Sequence, residues 1–490
     1  MGVLDTAVDP RAQSYLDART AMLASLAELE AGLDAAREGG GERAVTRHHA
    51  RGKLLARERV ELLVDRDSPL LELSPVAGWG TSAPVGAAVV TALGMVADRP
   101  CVIVASDPTV RDGAVGAGTL RKIQRAQQIA HQNRLPVIGL LEASGTEPAE
   151  RSEVTGAAAE LRAGLARLAG AGIPSTAVFF GDATELGGAD LSDAFDYLVG
   201  LRPVTGHAVS SNGRPDRPAG AGGRPVDHLA EDERDALRLT RCCVQRFPTA
   251  AAAYPPTGAA AGAGDPAGLV GPVGPDRPVG APRHDPEDLL AVPVTEPREI
   301  LGRVLDDSAL DEDQPGAGPA VCAGWGTLHG HRVAALAHAG PTAGAVAGHT
   351  ASAAAGTEET DKTVRFVRRA VAAGTPLLVL RHGTTLGPAA EAGLAGAPIP
   401  TLVVRVGPWR GVCAVSAQAR FRFAWPGASV TPTPTPPAGD GAGPGSSGPD
   451  SATESALRRS GRLADDGVID PRDTRTVLGF CLSVIQHRRS

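Results

Sequence analysis

Three consecutive small residues, Gly187, Gly188 and Ala189, are the part of this sequence best suited to chemistry. They sit within GDATELGGADLSDAFDYLVG (181–200), after the apolar run STAVFFG and before a stretch that reads as helix. With almost no side chain there, successive backbone N–H groups can converge on a developing oxyanion, and a helix N-terminus would reinforce the attraction. The competing reading is a plain glycine-rich turn. A weaker version occurs in VGPWRGVCAV (406–415), where only Gly411 is well suited. Such chemistry asks little of side chains.

Turns of this kind act only when rigid elements hold them, and the chain spells those elements twice. RKIQRAQQIAHQNRLPVIGLL (121–141) is echoed by DKTVRFVRRAVAAGTPLLVL (361–380): Lys122 matches Lys362, Arg125 matches Arg365, Ala130 matches Ala370 and Pro136 matches Pro376, each 240 residues apart. Upstream, GMVADRPCVIVASDPT (94–109) corresponds to GTLHGHRVAALAHAGPT (326–342); downstream, AGIPSTAVFFG (171–181) corresponds to APIPTLVVRVG (397–407). Each half reads turn–strand, loop, helix–strand, helix, strand. Short apolar runs alternating with amphipathic helices imply α/β crossover units on a mostly parallel sheet. Three matches in one order favour an internal duplication over chance likeness. Duplicated halves of this class would hold a ligand where they, or two subunits, face each other.

A chain of 490 residues exceeds one ordinary core, and 42% hydrophobic with 21% charged residues describes a globular protein. Forty-five arginines against three lysines reflect codon bias, and a net charge of −7 disfavours nucleic acid. No apolar run is long enough to span a membrane, and MGVLDTAVDPRAQ lacks a secretory pattern. Six scattered cysteines without a CxxC pair point to reduced thiols in the cytoplasm, with no disulfide frame and no metal site. Residues 11–38 read as a charged amphipathic helix ending at the glycines of 39–41. Two stretches, 255–288 and 431–450, are too rich in Pro and Gly to form helix or strand and read as mobile linkers or loops. The expected organisation is thus an N-terminal domain over 1–254, a linker over 255–288, and a C-terminal domain over 289–490 with a loop at 431–450.

Other signals carry less. His48 and His49 are adjacent, point apart and lack a third ligand. His329 and His331 flank a turn, and Cys242–Cys243 lies on a helix-like stretch where packing is the better assignment. GAVGAG (113–118) lacks the Lys-Ser/Thr ending of a nucleotide loop and reads as a turn into a helix capped by Thr119. The three lysines, Lys53, Lys122 and Lys362, all fall in segments that match something: the echo, or the stretch considered next.

HHARGKLLARERVELLVDRDSPLLEL (48–73) resembles, almost residue for residue, the N-terminal signature of the carboxyltransferase (β) subunits of biotin-dependent acyl-CoA carboxylases. Residues 94–145, VDHLAEDERDALRLTRCCVQRFP (226–248), ETDKTVRFVRRAVAAGTPLLVL (359–380), FAWPGASV (423–430) and ADDGVIDPRDTRTVLG (464–479) continue the likeness in patches along nearly the whole chain. The resemblance implies two tandem crotonase-like domains, assembled as a hexamer with sites between subunits. It also implies transfer of CO2 from carboxybiotin to the α-carbon of a short acyl-CoA through a thioester enolate, held in two oxyanion holes of backbone N–H groups. The first hole carries over to Gly187, Gly188 and Ala189, and the second to Gly411 and Val412. The family's Ser-Gly-Gly-Ala turn, read here as Ala143, Ser144, Gly145 and Thr146, makes the last three the expected substrate-binding residues. No Met-Lys-Met biotin acceptor and no ATP-binding segment occurs, so the biotin must ride on a separate biotin carboxylase/biotin carrier α subunit.

The second half departs further from that pattern. An Asp-Val-Pro-Gly-Phe turn appears as Arg381–His382–Gly383–Thr384–Thr385, and the helix after it shrinks to GPAAEAGLAG. A Tyr-Gly-Gly-Ala turn becomes Trp409–Arg410–Gly411–Val412, with added bulk where a ligand must approach. An alternative therefore stays open: a relative that binds acyl-CoA but has lost the use of carboxybiotin and serves in decarboxylation, other enolate chemistry or scaffolding.

Overall fold

The computed structural model describes residues 2–180, 185–202, 226–248, 279–338, 352–384, 387–410, 419–431 and 453–486. The chain divides into two units, one built on 31–259 with 460–464, the other on 1–30, 260–459 and 465–486.

Buried apolar runs make the sheet of the first unit. CVIVAS, VIGLL and STAVF are covered on both faces, which is the condition that produces unbroken hydrophobic strands. Seven strands lie in the order His228–Ala230, Tyr197–Leu201, Ser175–Phe179, Val137–Leu141, Arg99–Ser106, Val89–Val96 and Leu70–Leu73. The last three pair antiparallel and the rest parallel. Helices Ala56–Leu63 and Glu233–Arg246 set Val60, Leu63, Leu237 and Val244 against Ile103, Ile138 and Val178 on one face. The helices Ala117–Asn133 and Arg151–Gly170 cover the other, where Ile123, Leu161 and Leu165 meet Val104 and Val137. Helix Ala117–Asn133 repeats its buried residues Leu120, Ile123, Ala126 and Ala130 at helical spacing and stops at Arg134, whose left-handed backbone (φ 55°) turns the chain into Pro136. Thr119 does not cap it: its hydroxyl donates to Ala87 O at 2.7 Å, and the Glu150 carboxylate accepts from Ala117 N at 2.8 Å instead.

The second unit shows the same order. Strands Ala309–Glu312, Val321–Leu328 and His331–His338 pair antiparallel, and Leu377–Thr384, Thr401–Arg410, Phe421–Ala424 and Gly467–Val468 continue in parallel. Its anchors repeat as well. Lys122 Nζ donates to Gly86 O (3.1 Å) and to Val89 O (2.8 Å), where a strand opens; Lys362 Nζ donates to Ala317 O (2.9 Å) and to Val321 O (2.8 Å), where the matching strand opens. Asp65 accepts from the hairpin amides of Ala97 and Asp98 and pairs with Arg241 at 2.6 Å. Asp306 accepts from His329 and Gly330 and pairs with Arg475 at 2.6 Å. Pro136 O and Pro376 O each accept a strand amide at 2.9 Å, from Val102 and Ala334. Lys122 and Lys362, and Pro136 and Pro376, thus make corresponding bonds.

Two boundaries differ from the sequence expectation. Residues 1–30 join the second unit, because Gly2–Val3 extends its sheet beside Ala309 and Leu310, and Thr6 and Ala7 both donate to the Glu299 carboxylate. The end of the expected linker is ordered: Asp285 caps the turn Pro286–Leu290 by accepting from Glu287 N, and His284 Nε2 lies 2.6 Å from Leu4 O. The helix expected over 11–38 spans Gln13–Arg37.

Replacing either buried lysine with methionine removes a buried donor from two main-chain carbonyls. We expect Lys122→Met and Lys362→Met each to cost about 1–3 kcal/mol at neutral pH, read by denaturant unfolding. Burial pushes the Lys122 ammonium down to about 8. The unfolded chain, titrating near the ordinary ~10.4, then binds more protons between those values, so stability should climb with pH across that window. Lys122→Met should lack this slope.

Candidate active site

The stretch 48–73 folds into the end of helix Glu42–Ala50, helix Ala56–Leu63 and strand Leu70–Leu73, and its charges converge on one point. Arg59 has no solvent exposure. Its Nε and Nη2 donate to the two carboxylate oxygens of Glu233 at 3.0 and 2.8 Å, and Nη2 also donates to Glu142 at 2.7 Å. Its guanidinium lies 3.9 Å from the centre of the Phe180 ring. Lys53 Nζ donates to the other Glu142 oxygen and reaches Phe180 O at 3.4 Å. Leu54 N donates to Glu233 at 3.0 Å. Burial alone would raise the Glu142 carboxyl, but Arg59 and Lys53 outweigh it and hold it below the usual carboxylate range.

Glu142 follows the Val137–Leu141 strand directly, and beside it opens a cavity of about 310 Å³ lined by Arg47, His48, Arg51, Thr109, Gly113 and Ser144 among others. This is where ligands sit on parallel sheets, outside the carboxyl ends of the strands. Gly113 has φ 84°, and a Cβ there would stand 3.2 Å from Ser144 Oγ and 3.3 Å from Ser144 N. The Ser144 amide donates to Gly113 O at 3.0 Å and its hydroxyl to Asp112 O. Of the three expected substrate-binding residues, Ser144 therefore lines the cavity with its own amide already engaged. Gly145 and Thr146 form a short strand beside Ala114 and Val115, with Gly145 exposed.

Gly187 and Gly188 make the two-residue turn of a hairpin, with Leu186 opposite Ala189. Their φ values of 63° and 82° are those such a turn demands. Gly187 is buried, and a Cβ would press on Leu120 and Val154 at 3.0 and 3.1 Å; Gly188 is exposed, with nothing within 4 Å of that position. The hairpin lies next to Gly145–Thr146, so two of the expected segments do come together. The helix expected after the turn is absent. Asp190 accepts from Ser192 N at 2.9 Å and starts a three-residue turn, Ser192–Ala194, after which Tyr197–Leu201 enters the sheet between two strands. No helix dipole reinforces these amides.

Gly411 and Val412 lie outside the described residues. The strand before them, Thr401–Arg410, ends beside a buried cluster: Arg381 pairs with Glu391 at 2.6 Å, donates toward His338 Nδ1 at 3.3 Å, and lies 4.5 Å over the Trp409 ring. Glu391 stands on the shortened helix, Pro388–Ala395. The contacts of Arg59, Glu142 and Glu233 were not foreseen from sequence; the one local hint was an acidic residue ending the otherwise apolar run PVIGLLE. No group of His, Cys, Asp and Glu suited to a metal occurs among the described residues, and the five cysteines there are unbridged. No helix among the described residues is long and apolar enough to cross a membrane.

The carboxyl transferase domain family matches residues 47–190, a span that holds every lining residue of this cavity except Ala44. Over 99% of its length, and 97% of the relative's, the chain is 35% identical to the probable biotin-dependent acyl-coenzyme A carboxylase beta2 subunit of Mycobacterium tuberculosis. It belongs to the carboxyltransferase β-subunit family of biotin-dependent acyl-CoA carboxylases. The biotin-dependent 3-methylcrotonyl-coenzyme A carboxylase beta1 subunit of the same organism is 31% identical, with 94% of each chain covered. The β subunit of Pseudomonas aeruginosa geranyl-CoA carboxylase superposes with a TM-score of 0.76 at 25% identity, covering 100% of this chain and 97% of that one. The fold is therefore the crotonase-like α/β fold of carboxyltransferase β subunits. Within this family member the 48–73 signature anchors the cavity wall through Arg59 and Lys53.

A carboxyl held below its ordinary value contributes stability that is present above the carboxylate range and disappears as pH falls through the folded value. Glu142→Gln should cost about 1–3 kcal/mol at pH 7, because the amide carries no charge and keeps one acceptor oxygen for the two cations, Arg59 and Lys53. The gap between variant and wild type should close as the pH falls below the carboxylate range, which denaturant unfolding at stepped pH would read. A gap independent of pH would mean Glu142 is not held as a carboxylate.

Proposed function

We propose that this chain is the carboxyltransferase subunit of an acyl-CoA carboxylase, acting on a short acyl-CoA with a biotinylated partner subunit. The observation that carries this is the full-length likeness to carboxylase β subunits, together with a cavity at the strand ends inside the matched segment. The partner-borne biotin supplies CO2. What falls to this chain is to seat the thioester, hold its enolate oxygen with main-chain N–H groups and keep water away.

Gly188 suits the second task, since open space at its α-carbon lets an oxygen reach the backbone. Gly187 sets the turn and is backed by Leu120 and Val154, which hold the backbone in place. Ala189 continues the hairpin, and Ser144, Gly145 and Thr146 supply the neighbouring wall. Gly411 and Val412 would provide the partner hole on the biotin side, and the assembly would be a hexamer pairing with a biotin carboxylase/biotin carrier α subunit in the cytoplasm.

The test is to combine the chain with a biotinylated partner, labelled bicarbonate and propionyl- or acetyl-CoA. Label in the dicarboxylic product is the expected result. CoA-ester binding without transfer would point to the reading in which carboxybiotin use is lost. Gly188→Asp should abolish turnover, since it forces an L-residue into a left-handed backbone and sets a carboxylate where an oxyanion forms. Full turnover in that variant would put the oxyanion site elsewhere.

A further inference from the structure

Lys53 stands out from the other charges of the signature. Arg59 is buried outright, whereas the Lys53 side chain is 31% exposed and fills no core volume. Its ammonium nevertheless meets two acceptors on two different strands, the Glu142 carboxylate after Val137–Leu141 and the Phe180 carbonyl after Ser175–Phe179. Each acceptor precedes residues the chemistry needs, directly after Glu142 and seven positions beyond Phe180. Ala143 and Ser144 line the cavity, and the second segment leads to the hairpin of Gly187 and Gly188. His48 and Arg51, just before Lys53, line the same cavity. Glu142 is braced from its other oxygen by Arg59, which Glu233 neutralises in turn, so the carboxylate that Lys53 grips cannot swing.

We propose that Lys53 is a positioning residue of the acyl-CoA site: it pins two adjacent strand ends together and thereby sets the spacing between the Ser144 turn and the Gly187–Gly188 hairpin. It touches neither substrate nor reacting atoms in this role. The inference rests on the acyl-CoA reading given above. A turn displaced by as little as an ångström loses most of the benefit of preorganised donors while still admitting the ligand, so such a pin shows in turnover more than in binding.

The experiment uses the full chain with its biotinylated partner, as wild type, Lys53→Met and Lys53→Arg. In Lys53→Met we expect kcat to fall about 10²-fold with the KM for acyl-CoA nearly unchanged. Lys53→Arg, which keeps a cation, should recover part of the loss. Amide hydrogen exchange over residues 143–147 should rise in Lys53→Met by more than the accompanying loss of global stability explains, since Glu142 loses one of its two cations but keeps Arg59. Unchanged exchange over 143–147, or a loss of kcat that follows a loss of folded protein, overturns the proposal; so does a rise in KM alone. If the wild type itself transfers no label, the carboxylase reading fails separately, and the exchange measurement still decides whether Lys53 pins the turn.

Discussion

A guanidinium sealed from solvent has to be neutralised where it lies, and the first unit is organised around that requirement at Arg59. Only an arrangement that brings helix Ala56–Leu63, the end of strand Val137–Leu141 and helix Glu233–Arg246 to one point gives Arg59 its two carboxylates. A misplacement of any of them strands a buried charge, which costs about 3–5 kcal/mol. Such a cluster adds little net stability over an apolar core of the same shape, but it penalises alternatives heavily. The cavity wall at Glu142 and Ser144 is one product of that constraint.

The second unit keeps the frame and changes the chemistry at the strand ends. The residue five beyond Pro136 is Leu141, and five beyond Pro376 it is Arg381; five beyond Pro174 is Phe179, and five beyond Pro400 is Arg405. Leu141 and Phe179 are buried apolar residues, and the cavity opens beside Glu142, the residue after Leu141. Arg381 and Arg405 are buried too, side by side in the sheet, and each takes a carboxylate at 2.6 Å, Glu391 and Asp465. The Arg381–Glu391 pair also ties the short helix Pro388–Ala395 to its strand. The same scaffold thus ends these strands in buried apolar residues in one unit and in buried arginines in the other.

What could be read from sequence was what is encoded locally. Strands such as CVIVAS and STAVF announce themselves because burial on both faces removes polar residues, and helix Ala117–Asn133 because burial on one face leaves a 3.6-residue period. The glycine turn at 187–188 was legible because positive φ at successive residues selects glycine. The missing features are relations between distant residues: Arg59 with Glu142 lies 83 positions apart, and with Glu233, 174. No period or motif encodes such a meeting. The misread stretch DLSDAFDYLVG shows the same limit, since its composition tolerates helix while pairing on both sides of Tyr197–Leu201 decides for strand. Proximity in sequence places residues 1–30 with the first unit, yet a two-residue strand and one carboxylate, Glu299, tie them to the second.

The lysines show how composition and geometry compete. A chain with forty-five arginines has every opportunity to place a guanidinium where it needs a cation, yet it retains three amines. At Lys122 and Lys362 the side chain is buried and its head meets two carbonyls and no carboxylate. A planar fork with five donors would bring two more hydrogens than the ammonium into a space that offers no acceptor for them, and each unmet donor carries a penalty. A compact ammonium on a flexible stem satisfies both carbonyls from one atom. At Lys53 the same property lets one nitrogen join a carboxylate to a carbonyl on the neighbouring strand. At all three lysines one nitrogen meets two acceptors, with no second nitrogen left to place.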